Sequence, residues 1–364
     1  MLKDKIYNFS AGPAMIPEEV LEEIRNEISN FNGSHQSIME ISHRSEEFYN
    51  LLTDTKDRLK KLMNIPENYE VLFIQGGASL QFSMVPMNLL DKYNKAHYII
   101  TGVWAKKAFE AASKQGEAVV LSSSEDDNYS YIPEFKEVKG SDYVHICHNN
   151  TIFGTRFNII PEYGEIPLIS DISSSILSEP IDISKFGLLY ASAQKNAGIS
   201  GMAIVIIRKD LIKSNKEHIP TMLNYKTYYD NESLYNTPPT FAIYVFNLIL
   251  KWIESKFEHL DKLKEINNQK ANMIYKYLDS SDIFYNNVLW RDRSITNIPF
   301  FSYDEECNRD FIYEASMNNI VNIKGHRLVG GMRASIYNAM PLSSVEYLVD
   351  FMQDFESRNR GRYL

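Results

Sequence analysis

The chain has 364 residues, 44% of them hydrophobic, and its 38 Lys and Arg against 47 Asp and Glu give a net charge of −9. That length suits a large domain with a smaller one beside it, and the acidic balance argues against nucleic acid or an anionic membrane as main ligand, so an anionic substrate would need local clusters of cations. Cys147 and Cys307 make no disulfide framework and fit a reducing compartment.

The N-terminal stretch MLKDKIYNFSAGPAM lacks the apolar core of a secretory leader. The most apolar helical stretch, residues 241–250, is too short to span a bilayer. A soluble cytoplasmic protein is expected. After this irregular arm, residues 17–31 have helical spacing with Pro17 and acids in the first turn, and residues 46–65 predict a second helix. Strands and helices then alternate. VLFI (71–74) runs into QGGASLQFSMV, a turn that opens a helix. HYIIT (97–101) precedes a helix from Trp104 to about Gln115. AVVL (118–121), YVHIC (143–147), IPLIS (166–170) and the runs LLYA and MAIVII within 188–207 are further strands. This alternation predicts an α/β domain with a mostly parallel sheet, whose ligand sits beyond the carboxyl ends of the strands. Residues 241–279 read as one long or bent helix connecting to a smaller α/β domain. In that domain a strand at 297–303, a helix at 308–319, strands at 320–323 and 332–337 and a closing helix at 344–357 are expected.

Lys195 follows the strand LLYA, and lysine is rarely buried unless paired or chemically employed. Asp171 ends another strand, 24 residues earlier. Alone, each reads as a turn cap or a solvated side chain. Together they suggest a lysine that attacks an aldehyde and a carboxylate that holds a pyridinium nitrogen protonated, the pairing pyridoxal phosphate needs. QGGASLQF (75–82) could cradle a phosphate at a helix start, although it is no Walker loop. Trp104 ends up at another strand's carboxyl end and could cover a ring. His and Arg residues cluster in SHRS (42–45), in GHRLVGGMR (325–333) and at the isolated Arg156, where anionic substrates could dock. HICH (145–148) lacks metal-ligand spacing and reads as core and turn. There is no G-x-S-x-G elbow and no G-x-G-x-x-G after a strand, so neither a serine hydrolase nor a nicotinamide site is supported.

These residues bear a resemblance. NFSAGPAM, MEISHRSEEF, GGASLQF, SDISSSILS, YASAQKNAG, YNTPPTFAIY and KGHRLVGGMRASIYNAM resemble, nearly end to end, the phosphoserine aminotransferase family, class V enzymes of fold type I. The resemblance implies an α/β fold: a large domain (16–250) with a mostly parallel seven-stranded sheet flanked by helices, after an arm (1–15) and before a small C-terminal domain (251–364). It implies pyridoxal phosphate bound covalently by Lys195, with Asp171 on the pyridine nitrogen and Trp104 on the ring. Thr151 and Gln194 would contact the cofactor, and Ala78 and Ser79 would hold its phosphate. Asn236 and Thr237 would reach the phosphate from the neighbouring subunit of a homodimer with active sites at the interface. Arg333 would take the substrate α-carboxylate, and His43, Arg44, His326 and Arg327 the second anion. The implied reaction is reversible amino transfer between glutamate and 3-phosphohydroxypyruvate, with no metal. Ser79 stands where some members have arginine, Ala11 where some have serine, and Asn150 where acids are common. Rival readings are an alanine-type class V aminotransferase, which needs no second anion site, a cysteine desulfurase, which needs a mobile cysteine, and a non-catalytic anion-binding protein of the same fold.

Overall fold

The computed structural model describes residues 5–213 and 218–363. The arm supplies a short strand, β1 (Tyr7–Asn8), ahead of helices α1 (Glu18–Glu27) and α2 (Glu46–Leu62). Ser45 caps α2: its Oγ accepts from Phe48 N at 3.3 Å, satisfying one of the unpaired amides of the first turn. The next seven strands form the large sheet. They are β2 (Tyr69–Gln75), β3 (Lys95–Ile100), β4 (Glu117–Ser123), β5 (Tyr143–Cys147), β6 (Leu168–Asp171), β7 (Leu188–Ser192) and β8 (Met202–Arg208). Helix α3 (Gly77–Leu89) follows β2, and α4 (Val103–Ala112) follows β3.

In space the order is β2-β8-β7-β6-β5-β3-β4, and only β8 runs against its neighbours. The sheet is therefore mostly parallel, as expected. Strands β5, β6 and β7 are buried along their whole length. That is why they read as continuous apolar runs instead of alternating ones. Because all strands but β8 point the same way, Gln75, Cys147, Asp171 and Ser192 end on one edge of the sheet. There α3 and α4 begin.

Beyond the sheet come α5 (Tyr225–Asp230), α6 (Thr240–Phe257) and α7 (Leu260–Leu278). The long or bent helix expected over 241–279 is two helices with a sharp break between them. Glu258 takes φ 63° and ψ −49°, and His259 N donates to Phe257 O at 2.7 Å. This is a γ-turn, made with neither Gly nor Pro, so nothing in the local composition announces the break.

The smaller unit holds a three-stranded antiparallel sheet of β9 (Phe284–Tyr285), β10 (Asn297–Ser302) and β12 (Met332–Ser335), in the order β12-β10-β9. Helices α8 (Glu305–Met317) and α9 (Leu342–Tyr363) cover it, and β11 (Ile320–Val321) pairs in parallel with β1. Its core is aromatic: Phe284 and Phe311 touch each other, and each also contacts the rings of Phe300 and Phe355. Apolar packing around the large sheet extends to Leu263, and packing of the small unit starts at Ala271 and takes in Tyr7 and Phe9. Helix α7 thus runs between two cores. Among the described residues no helix is long and apolar enough to cross a membrane.

The HICH stretch is built into the core. His145 stacks on Tyr98, with centroids 5.0 Å apart, and its Nε2 is 2.9 Å from the Tyr190 hydroxyl. His148 Nδ1 is 2.8 Å from Ser175 Oγ. Burial pulls the two imidazoles down to about 3 and about 4. Both are neutral in the fold at pH 7, while an unfolded chain starts protonating them near pH 6.5. Between pH 6.5 and 4 the unfolded state therefore binds more protons, and stability falls as pH falls. For His148 alone the loss across that window is about 3 kcal/mol. Urea melts between pH 7 and 4.5 should show it, and His148→Asn should flatten the slope. An equal slope in the variant would assign the acid loss to other groups.

Candidate active site

The carboxyl ends of β5, β6 and β7 and the starts of α3 and α4 line a cavity that opens to solvent, the place where α/β sheets bind ligands. Seven of the expected residues line it: Ala78 and Ser79 from α3, Trp104 from α4, Thr151 after β5, Asp171 at the end of β6, and Gln194 and Lys195 after β7. The N-terminal arm crosses the same place. Ala14 N donates to Gln194 O at 2.9 Å, and a Cβ on Gly12 would lie 3.4 Å from Lys195 Cγ.

Lys195 Nζ donates to Thr151 Oγ1 at 2.6 Å. The lysine stem keeps some exposure where it lines the cavity, while the amine at its tip is enclosed by protein. Burial pulls the Lys195 pKa below the usual lysine value, against the opposing charge of Asp171. Burial likewise pushes Asp171 up, against the charge of Lys195 and a 2.8 Å hydrogen bond from Ser173 N. The result is an amine readily freed of its proton, hence nucleophilic, beside a carboxylate that a further cation would stabilise.

The start of α3 is shaped by two glycines in the left-handed region, Gly76 at φ 101° and Gly77 at φ 66°. A Cβ on Gly77 would press on Ser192 Oγ at 3.0 Å, and that hydroxyl accepts from Ala78 N at 2.7 Å. The helix start is thereby tied to the end of β7, and a helix start of this kind favours an anion. Among the described residues Trp104 Nε1 is buried without a partner. Asn150 fixes the adjoining loop. Its Nδ2 donates to Thr101 O, and its Oδ1 accepts from Ile152 N at 3.1 Å and Phe153 N at 3.2 Å. An ionised carboxylate here could not donate to Thr101 O, so the asparagine suits this loop.

Sequence reasoning missed Phe82, Cys147, Asn149, Ser173, Ser174 and Ser192, which also line the cavity. Their signal was the serine run after β6 and the small residues after β7. These hydroxyls bind nearby backbone: Ser174 Oγ donates to Asn149 O at 2.8 Å, and Ser173 Oγ accepts from Ser192 N at 3.0 Å. Cys147 sits beside Asp171 in the sheet register. Burial, then the Asp171 charge, pushes its thiol well above the usual range, so it is no thiolate nucleophile.

Arg333, on β12, brings the small unit to the cavity. Its Nη1 donates to Thr151 O at 3.2 Å, and its Nε is buried with no partner among the described residues. A partly unpaired, desolvated guanidinium is a receptor for a carboxylate. His326 and Arg327 sit in a loop closed by Gly325 N donating to Gly331 O at 2.8 Å. A Cβ on Gly325 would meet Gly330 O at 1.9 Å, so only glycine fits that crossing. Burial lowers the His326 pKa, and the charges of Arg333, Arg327 and Lys107 lower it further. The loop is thus a cationic surface beside the cavity.

Seven expected residues do not line the cavity of their own chain: Arg333, His326 and Arg327, which belong to the small unit beside it, and His43, Arg44, Asn236 and Thr237. His43 and Arg44 lie in the turn before α2, where His43 Nε2 is buried without a partner. Asn236 and Thr237 lie before α6, where Thr237 O accepts from Gln75 Nε2 at 2.9 Å. Arg156 is no anion site. Its Nη1 donates to Glu179 Oε1 at 2.6 Å, and both side chains are largely buried, so the guanidinium is already paired.

The cavity fits pyridoxal phosphate on its own features. It offers an amine for the aldehyde, a carboxylate for the ring nitrogen, an indole for the ring face and a helix start for the phosphate. Comparison with known proteins agrees. The sequence profile of the family described as aminotransferase class-V matches residues 6–348. The chain is 50% identical to the phosphoserine aminotransferase of Bacillus cereus over 360 residues, 98% of this chain and 100% of that protein. With the phosphoserine aminotransferase of Listeria monocytogenes it is 50% identical over 361 residues, 98% of each. Among solved structures, phosphoserine aminotransferase from Bacillus circulans subsp. alkalophilus superposes with a TM-score of 0.96 at 44% identity, covering 98% of this chain and 100% of that one. The pyridoxal-phosphate-bound enzyme from Trichomonas vaginalis superposes with a TM-score of 0.91 at 38% identity, covering 96% and 100%. The chain belongs to the class V aminotransferases.

Proposed function

We propose that this protein catalyses reversible amino transfer between glutamate and 3-phosphohydroxypyruvate, giving 2-oxoglutarate and phosphoserine. The observation that carries the reading is the buried Lys195–Asp171 pair in one cavity with the unpartnered Nε of Arg333 at its side. Bound pyridoxal phosphate supplies an electrophilic carbon and a ring that withdraws electrons from the substrate α-carbon. The protein's own tasks follow from its geometry. Arg333 binds the α-carboxylate and orients the Cα–H bond toward Lys195. The Lys195 amine, held by Thr151 Oγ1 and lowered in pKa, takes the α-proton. Asp171 holds a proton at the pyridine nitrogen. Trp104 covers the ring and excludes water. His326 and Arg327 bind the distal phosphate or carboxylate. Both half-reactions use one site, so the kinetics are ping-pong.

A homodimer, as the family resemblance implies, would let His43, Arg44, Asn236 and Thr237, which lie away from this chain's own cavity, complete the partner's site. Cys147 and Cys307 are free and buried, which fits a cytoplasmic protein.

The test separates two anion sites. A charge-assisted hydrogen bond in a desolvated site contributes about 1.5–3 kcal/mol, roughly tenfold to hundredfold in binding. Arg333→Ala is expected to lower kcat/KM for phosphoserine and alanine alike. Arg327→Ala should lower it for phosphoserine more than for alanine, which has no distal anion. An unchanged phosphoserine-to-alanine ratio in Arg327→Ala would move the phosphate site elsewhere, with His43 and Arg44 the next residues to test.

A further inference from the structure

Lys270, on α7, is fully buried. Its Nζ donates to three backbone carbonyls and to no carboxylate: Ile336 O at 3.2 Å, Tyr337 O at 3.0 Å and Met340 O at 3.1 Å. A buried ammonium is costly, and well-packed apolar side chains of similar volume often replace buried charges without loss of stability. What a lysine adds here beyond filling space is direction, since one amine ties three carbonyls of a single segment to one point. All three carbonyls belong to the segment that leaves β12, the strand carrying Arg333.

The same segment is held from two other directions. Asn338 N donates to Asn196 Oδ1 at 3.0 Å, and Asn338 Nδ2 donates to Leu177 O at 2.9 Å. Asn267, one turn before Lys270, donates through Nδ2 to Asn338 Oδ1 and to Ser178 O, both at 2.9 Å. Asn196 follows Lys195 in the chain, and its Nδ2 donates to Ile176 O at 3.0 Å. Every one of these side chains is buried. A continuous polar path thus joins the residue after Lys195, the chain after β6 and the chain after β12. Burial pulls the Lys270 pKa down to about 7, while carbonyls, which only accept, favour the protonated form.

We propose that Lys270 is a positioning residue for amino transfer, which through Asn338 and Asn196 fixes where the Arg333 guanidinium sits relative to the Lys195 amine. Lys270 touches neither substrate nor cofactor. It acts on the α-carboxylate receptor, so it should govern substrate binding and alignment while leaving cofactor attachment intact. This rests on the reading of Arg333 as the receptor of the substrate α-carboxylate.

The experiment is a double-mutant cycle on the holoenzyme, Lys270→Met with Arg333→Ala. In Lys270→Met, KM for glutamate should rise about tenfold, with pyridoxal phosphate content and borohydride labelling of Lys195 as in the wild type. In the Arg333→Ala background the same substitution should raise KM by less than about twofold, because the group it positions is gone. A lysine that only supports the fold would lower the melting temperature and leave KM unchanged well below it, and that result overturns the proposal. Equal rises in both backgrounds overturn it too. If Arg333→Ala alone leaves KM for glutamate unchanged, the assignment of Arg333 fails, independently of the clamp. Should Lys270→Met not accumulate as folded protein, Lys270→Gln, which keeps a donor but cannot reach all three carbonyls, carries the same expectations.

Discussion

Lys195→Ala is expected to fold, to lose amino transfer by about 10⁴-fold or more, and to leave no lysine that borohydride can join to pyridoxal phosphate. Folding should survive because the amine is desolvated and its one hydrogen bond goes to Thr151 Oγ1. Removing an enclosed amine whose pKa burial has lowered removes a cost as well as a bond. Activity should not survive, because among the described residues this is the only lysine lining the cavity that also holds Asp171. Lys107 sits over the Trp104 ring at 5.0 Å from its centroid, on the exposed side of α4. Lys270 is turned toward three carbonyls. Neither can take over. Mass spectrometry of the reduced wild type should find the cofactor on a peptide containing residue 195. Label on either of the other two lysines would overturn the assignment.

The parts of this site legible in the sequence share one physical origin. A strand buried on both faces shows as an apolar run, and the residue where the run stops is at the sheet edge. Asp171, Lys195 and Trp104 were found that way, and the cavity gathers all three. The glycines of the turn before α3 were legible because positive φ and the closeness of Ser192 leave little choice of residue. What could not be read depended on partners distant in sequence. Arg156 looked like a spare cation until Glu179 was found beside it, 23 residues on. The break between α6 and α7 uses a strained Glu258 where no glycine marks it. Lys270 lies on a helix of mixed polarity, and only the arrival of the 336–340 segment shows that its face is buried. The position of Arg333 beside Thr151 was equally hidden, since 182 residues separate them.

Asp171→Asn is the second large effect. The amide keeps the shape of the side chain and can still accept from Ser173 N through its oxygen, so the loop after β6 should hold. What disappears is the negative charge. Asp171 is buried, and burial pushes its pKa up against the opposing charge of Lys195 and the hydrogen bond from Ser173. When Lys195 gives up its charge to bind an aldehyde, the carboxylate needs another cation, and a protonated pyridine nitrogen supplies it. An asparagine offers that nitrogen no charge, so the proton leaves and the ring withdraws electrons poorly. Removing one preorganised electrostatic partner of a reacting group costs about 2.7–4 kcal/mol, so kcat should fall by roughly 10² to 10³. Binding of the cofactor should fall less, because Lys195, Trp104 and the α3 start still hold it. The measurements are kcat for glutamate with saturating cofactor and the reduced-peptide label at residue 195. A variant with near-normal kcat would show that Asp171 only orders the turn through Ser173. A variant that loses label and activity together would show that the carboxylate is needed to seat the cofactor at all.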